Sequence, residues 1–442
     1  MTQGESAVGA APRVPAERDL TLDLTRVSCV VLVVLVHVLF TGVGRAPDGA
    51  LVIERTVEAT AWFGPLSWVL NIMPLFFVVG GFAARVGWTS AQRRGATAAD
   101  FVRVRLQRLA RPALPLFLFF ALILGVARLL PLDAGMRAMV DTIAIGVGSP
   151  LWFLAAYMLT QALAPLMIRF HERNAWAPIV VLAVLALVVD LFVQRIVTES
   201  WGMPRIDLTT WDIGSDLFGL PNVVFVWLLA QQIGFVMADG WFARRRRWQL
   251  VGIILVGYAL IWALVALVPY ATGMLRNQWP PTLLMAILAV IQAAGLTLLK
   301  PALAALMRTR VAQGFVFLVG SRLMTTYLWH LPMIMVLTGL ELLLPFPMPF
   351  PGSALWWWTR PLFLLVVLAS VWVLSLWLVR YERVPTGAPR LPGPAPVIIA
   401  VVLFVLAPLG ITAYGLDAGW ALLGAIATAA ALWLTRPVKE AP

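Results

Sequence analysis

Three side chains near the start of the sequence have the types and spacing to do chemistry: Asp23, Arg26 and His37. The stretch RVSCVVLVVLVH (26–37) sets a guanidinium and an imidazole at the two ends of ten residues that are nearly all apolar. At ~100° per residue, the steps from Arg26 to His37 turn about 1100°, roughly 20° past three full turns of an α-helix. The two side chains therefore share one face, ~16 Å apart along the axis, and Asp23 falls near that face too. An imidazole so placed has the proton affinity to take a proton from a weakly acidic hydroxyl near neutral pH. An ionisable group inside an apolar helix is costly and needs a cavity or a partner. For Asp23 and Arg26 the plainer reading is a snorkelling role at a helix end. For His37 it is a structural hydrogen bond to a neighbouring helix.

The remaining candidates are few. The chain holds three histidines. His330, in YLWHLP, sits inside an apolar stretch and has the same need for a partner as His37. His171, in RFHERN, reads as a solvated loop residue. Cys29, the one cysteine, is about 80° around the helix from His37 and reads as packing. Two buried histidines without cysteine or carboxylate at ligand spacing argue against a metal site. RVRLQRLARP (103–112) offers Arg105 and Arg108 at i, i+3, or Arg108 and Arg111 in the alternative register. A cation pair on one helix face suits bidentate binding of phosphates, or equally a basic face on anionic lipid headgroups. Segment 196–219 carries Asp207, Asp212 and Asp216 with Trp201 and Trp211. Carboxylates and aromatics suit a sugar, but solvated acids and interfacial tryptophans explain them as well. Trp356, Trp357 and Trp358 read as an aromatic belt at the outer interface.

These residues must be positioned by membrane helices. Of 442 residues, 61% are hydrophobic and 12% charged, and the mean hydropathy is +0.89. Apolar runs of ~20 residues recur, each enough to cross a bilayer core. They predict an all-α polytopic membrane protein with about twelve transmembrane helices, near 23–42, 64–86, 112–131, 149–168, 177–195, 220–238, 248–269, 281–299, 322–344, 355–380, 396–415 and 418–435. Lys and Arg concentrate in alternate loops: Arg93 to Arg111, Arg244 to Arg247, Lys300 to Arg310, Arg380 to Arg390, and Arg436 with Lys439. That alternation predicts a multi-pass protein of the plasma membrane with both termini cytoplasmic. It also accounts for the net charge of +12 without a nucleic-acid partner. Residues 1–20 lack an apolar region and are expected to be a disordered cytosolic tail with no cleavable signal. A Pro/Gly-rich linker (386–395) then separates a ten-helix unit (21–385) from a C-terminal transmembrane hairpin (396–442). No charge lies inside the hairpin's spans. Ala421, Ala425 and Ala429, with Gly424 and Thr428, form a small-residue face suited to homo-oligomer contacts, and the hairpin is expected at the periphery.

Asp23-x-x-Arg26, then ten residues, then His37 resembles the opening of the acyltransferase-3 family, integral-membrane enzymes that transfer acyl groups to hydroxyls. Further segments resemble the family's motifs in order: NIMPLFFVVGGF (71–82), RVRLQRLARP (103–112), SPLWFL (149–154), TTYLWHLP (325–332) and RYERVP (380–385). The family usually has Ser-Gly where this chain has Gly80-Gly81. The resemblance covers about residues 18–385, so the last hairpin lies outside it. It implies a donor substrate, acyl-CoA, with no tightly bound cofactor and no metal. It implies His37 as the catalytic base, Arg26 with the arginine segment as donor-binding, and Asp23, Trp152, His330 and Glu382 in support. The acceptor would be a carbohydrate, lipid or small-molecule hydroxyl, with Asp207, Trp211 and Asp212 as its weakest-founded contacts. Membrane lipids are the other partners. The competing class is a polytopic transporter or flippase for a glycan or lipid. Such a protein should show acidic coupling residues or broken helices at the midplane. Here the intramembrane acids beyond Asp23 are Asp190 and Glu341, both toward the outer ends of their helices.

Overall fold

The computed structural model describes residues 19–204, 214–344, 348–385 and 387–438. Among them, eleven helices are long and apolar enough to cross a membrane, and one shorter apolar helix completes a terminal pair. The helices are α1 (Leu20–Phe40), α2 (Phe63–Leu70), α3 (Met73–Arg93), α4 (Ala98–Leu129), α5 (Ala134–Gly148), α6 (Trp152–Arg173), α7 (Ala177–Leu191), α8 (Pro221–Ala238), α9 (Arg247–Leu267), α10 (Leu283–Leu306), α11 (Arg310–Gly320), α12 (Leu323–Leu343), α13 (Ala354–Glu382), α14 (Pro394–Tyr414) and α15 (Ala418–Leu434). The protein is an all-α polytopic membrane protein. Its small sheet is one hairpin after α1, Gly42–Arg45 paired antiparallel with Leu51–Glu54. The hairpin is tied to the stretch before α13 by Arg45 N–H donating to the Met348 carbonyl at 3.3 Å.

Two elements begin where hydropathy alone does not place them. The apolar part of α4 starts near 112, but the helix begins at Ala98, closed by a capping box between Thr97 and Asp100. Its arginines are therefore helical and stand in register with the apolar turns above them. A short helix, α11, precedes α12 and lies along α1, where a Cβ at Gly320 would sit 3.5 Å from Val27. Ten residues further along the chain from Val27 and from Gly320 come His37 of α1 and His330 of α12, which meet.

Pairing of helix termini shows that the basic segments gather at one end of the bundle. Lys300 near the end of α10 meets Asp19 at the start of α1 at 2.7 Å. Glu382 at the end of α13 meets Thr325 in the first turn of α12. Arg85, toward the end of α3, bridges Glu172 of α6 and Asp239 just past α8.

The core packs by close backbone approach. A Cβ at Gly81 of α3 would collide with the Gln231 carbonyl of α8, and one at Gly234 of α8 with the Val78 carbonyl of α3. Only glycine permits two helices to lie that near.

The terminal hairpin packs on the bundle through one face and leaves the other open, with Ile398, Val402, Leu422 and Ile426 exposed. The face of α15 that carries Ala421, Gly424, Ala425 and Thr428 is buried. A Cβ at Gly424 would stand 2.6 Å from the Phe117 ring of α4. Ala429 points out, and the small-residue face is spent on α4 within the chain. Small residues favour close helix approach whether the neighbour is a second chain or the same one, so the pattern could not tell them apart. The linker is likewise stitched in, with Arg390 N–H donating to the Arg436 carbonyl at 3.0 Å and Val438 N–H to the Ala388 carbonyl at 2.8 Å.

Candidate active site

His37 lies in the last turn of α1, half-buried, and its ring meets His330 of α12 with centroids 4.9 Å apart. The hydrogen bonds decide the tautomers. His37 Nδ1 is 2.8 Å from the Val33 carbonyl, one turn back. A carbonyl can only accept, so Nδ1 carries the proton. His330 Nδ1 faces the Tyr327 carbonyl and carries a proton for the same reason. His330 Nε2 is then a lone pair, and it stands 3.3 Å from His37 Nδ1. One N–H of His37 is thus shared between a backbone carbonyl and a second imidazole. The nitrogen left with a free lone pair is His37 Nε2, the atom a general base would use.

A cationic group lies on the same side of the bundle, nearer the basic end. Arg105 of α4 donates from Nε to Gln161 Oε1 of α6 at 2.8 Å, and its guanidinium covers the Phe101 ring at 3.3 Å. Tyr157, Arg108 and Arg26 all lie within its electrostatic reach. Arg26 pairs loosely with Asp23 at 3.8 Å. Arg105 lies within reach of both Arg108 and Arg26, whereas Arg111 turns to α13 and donates to the Arg380 carbonyl at 3.3 Å. Buried Gln161 Nε2 has no partner among the described residues.

Aromatic rings connect the two groups. Tyr157 stacks on Phe153 at 5.4 Å, Phe153 meets Tyr327 at 4.9 Å, and Tyr327 meets His330 at 5.8 Å. The result is a cation cluster and a histidine pair joined by ring-lined protein, a layout that suits a substrate with an anionic head and a reactive tail. The acyltransferase domain family matches residues 19–380. The chain belongs to the acyltransferase-3 family. It is therefore a membrane acyltransferase. No curated protein and no solved structure matches it.

The other residues that the acyltransferase-3 resemblance singled out occupy supporting positions. Glu382 accepts from both the backbone N–H and the hydroxyl of Thr325, at 2.7 and 2.6 Å. It thereby satisfies an orphan donor in the first turn of α12, the helix that carries His330. Trp152 is buried and stacks on Trp227 at 5.5 Å, behind Phe153; its ring contacts do not include either histidine. Gly80 sits against Tyr157, whose ring would be 2.9 Å from a Cβ there. Asp207, Trp211 and Asp212 lie outside the described residues.

Two expectations are corrected. His171 is 3% exposed, not solvated. Its ring nitrogens face Gln232 Oε1 at 3.1 Å and Asp239 Oδ2 at 2.9 Å. The charged tetrapeptide around it looked like a loop, but α6 runs on to Arg173 and docks on α8. Trp356 is 0% exposed and lies under the Arg360 guanidinium at 4.7 Å, whereas Trp357 is half-buried and Trp358 is 81% exposed. Asp190 is buried and accepts from Asn222, Tyr270 and the Leu283 N–H at 2.7 to 2.9 Å. It ties the start of α10 to α7 and α8, a structural use. Sequence reasoning missed Tyr157 and Gln161. A glutamine inside an apolar helix, one turn after a tyrosine, was the available signal.

Proposed function

We propose that this acyltransferase moves an acyl group, acetyl by preference, from acyl-CoA at the basic end of the bundle to a hydroxyl that arrives from the opposite end. The observation that carries the proposal is the shared N–H between His37 and His330, at the far end of the helix whose near end holds Arg26. The basic end is the cytoplasmic one under the positive-inside rule, in a plasma membrane with both termini inside.

Arg105, Arg108 and Arg26 hold the donor's phosphates, since arginines pair bidentately with phosphate. Gln161 Nε2 donates to the donor's next polar group. The ~16 Å between Arg26 and His37 lets an extended pantetheine arm bring its thioester to the histidines. His37 Nε2 takes the proton of the acceptor hydroxyl as its oxygen attacks the thioester carbonyl. The carbon–oxygen bond forms, the carbon–sulfur bond breaks, and the proton passes to the leaving thiolate. As His37 becomes cationic, its Nδ1–H bond to His330 Nε2 becomes charge-assisted and strengthens. The stabilisation appears only as charge develops, which is what lowers a barrier.

The acceptor side is built where α1 ends. His37 touches Phe40, Phe40 touches Phe63, and Trp62, 47% exposed, meets Trp357 at 6.0 Å. Arg55 covers Phe40 and pairs with Glu58 at 2.9 Å. Stacking rings beside a charged pair suit a polyhydroxylated acceptor such as a surface glycan, a glycolipid or a secreted natural product. The test is transfer by purified protein in sealed lipid vesicles, with radiolabelled acetyl-CoA and candidate acceptors. Turnover of the thioester supports the proposal. Acceptor crossing the membrane without turnover would instead mark a transporter.

A further inference from the structure

One cation at the end of the bundle opposite the arginine cluster has no part in the chemistry above. Arg360, in the second turn of α13, is 7% exposed. Its guanidinium lies against the rings of Trp356 and Phe363, at 4.7 and 4.9 Å. Its Nε and Nη2 both donate to one hydroxyl, that of Thr359, at 3.2 and 3.0 Å. A guanidinium has five N–H donors, and among the described residues the others meet no acceptor. Glu341 of α12 is within electrostatic reach of Arg360 but makes no ion pair with it. The indole Nε1 of Trp356, which can only donate, is buried and also lacks a partner among the described residues. Two unsatisfied donor groups thus lie side by side. Buried donors without acceptors are costly, and a buried cation without a close anion more so. Both call for the same partner, an oxyanion.

We propose that Arg360 and Trp356 Nε1 bind a phosphate or carboxylate of the acceptor, so that the acceptor is an anionic glycan or glycolipid. The inference rests on the acyl-transfer reading above. It places the charge well away from the hydroxyl that reacts. Glu341 is eleven residues beyond His330 on α12, so it stands on the same helix face, ~16 Å farther from the basic end. Arg360, within reach of Glu341, comes to that height. Rings bridge the interval. Trp356 meets Trp357 at 4.9 Å, and Trp357 meets Trp62 at 6.0 Å, in the series that starts at His37. A short oligosaccharide, with its hydroxyl at His37 and its anionic group several sugar units away at Arg360, fits this span. Glu341 opposes the same anion and so weakens its binding.

The experiment gives the full chain, in lipid discs, radiolabelled acetyl-CoA and a total extract of envelope glycans and glycolipids from the cells that make the protein. The labelled product is then run on an anion exchanger. The label should be retained, and the anionic acceptor so isolated serves for steady-state kinetics. Arg360→Gln should raise acceptor KM by about tenfold or more, with donor KM and free-CoA binding unchanged. Arg360→Lys, which keeps the charge but not the planar fork, should recover part of the loss. Glu341→Gln should lower acceptor KM, an effect that a structural ion pair does not predict. Label confined to uncharged products would overturn the inference and leave acyl transfer standing. So would wild-type acceptor KM in all three variants with lowered melting temperatures, which would mark Arg360 and Glu341 as a structural pair. A loss in Arg360→Gln that vanishes when the phospholipid headgroup of the disc is changed would assign the cation to a membrane lipid and overturn it too. Absence of label in every fraction would overturn the transfer reading and this inference with it.

Discussion

Replacing His330 by phenylalanine isolates the part that the second imidazole plays. The substitution keeps a ring against Tyr327 but removes the Nε2 lone pair that faces His37. His37 Nδ1–H retains the Val33 carbonyl at 2.8 Å, so its tautomer persists and Nε2 remains the basic nitrogen. What is lost is one acceptor for the imidazolium formed during transfer. A hydrogen bond to a charged group contributes about 1.5–3 kcal/mol, or roughly one to two powers of ten in rate. The 3.3 Å separation is long for such a bond, which places the expected loss near the lower limit, about tenfold in kcat. Donor KM should not move, because His330 is remote from the arginines. His330→Gln, which offers a carbonyl acceptor, should recover part of the loss. The assay is steady-state acetyl transfer with both substrates varied. Wild-type kcat in His330→Phe, or equal losses in the Phe and Gln variants, would show that His330 is a packing residue only.

Other perturbations test other parts of the account. Arg105→Gln should raise donor KM by about tenfold or more and leave acceptor KM unchanged, since a charge-assisted contact is removed from the donor side alone; initial-rate kinetics would show it. Truncation after Gly387 removes the neighbour that covers α4 and should abolish a monodisperse peak in detergent chromatography. Gly424→Leu should lower the melting temperature, as overpacking against Phe117 costs about 1–3 kcal/mol. Burial pushes the Asp19 carboxyl up, but the hydrogen bonds from Lys300 and Thr21 outweigh it and hold it below the usual carboxylate range. Its folded pKa is depressed, so the link between α1 and α10 is fully present above the ordinary carboxylate range and is lost only as pH falls through the lowered value. Asp19→Asn should therefore cost the same small amount, under about 1 kcal/mol for so exposed a pair, at every pH from 5 to 8 in thermal melts.

Much of this was legible in the sequence because lipid imposes it. Backbone groups in a bilayer must pair within helices, so apolar runs mark spans and arginines mark sides. The stripe of Asp23, Arg26 and His37 follows from helical periodicity alone. What periodicity cannot give is which stripes meet. His37 and His330 are 293 residues apart in the chain, and no local pattern announces the shared N–H. The surroundings of Arg105 also waited for α6, because Gln161 and Tyr157 are what it turns toward. His171 and the small-residue face of α15 misled for one reason. A charged stretch and a row of alanines describe what a surface can touch, not whether the neighbour is solvent, lipid or another helix of the same chain.

The central claim is that His37 Nε2 removes the acceptor's proton. The measurement is acetyl transfer by His37→Ala and His37→Gln in lipid discs, beside free-CoA binding and detergent chromatography on the same preparations. Loss of a positioned base should lower kcat by about 10²–10⁴-fold, while CoA affinity and the elution profile match the wild type. Turnover above about a tenth of wild type in a well-folded His37→Ala protein would contradict the account, and the base would have to be sought elsewhere in the bundle.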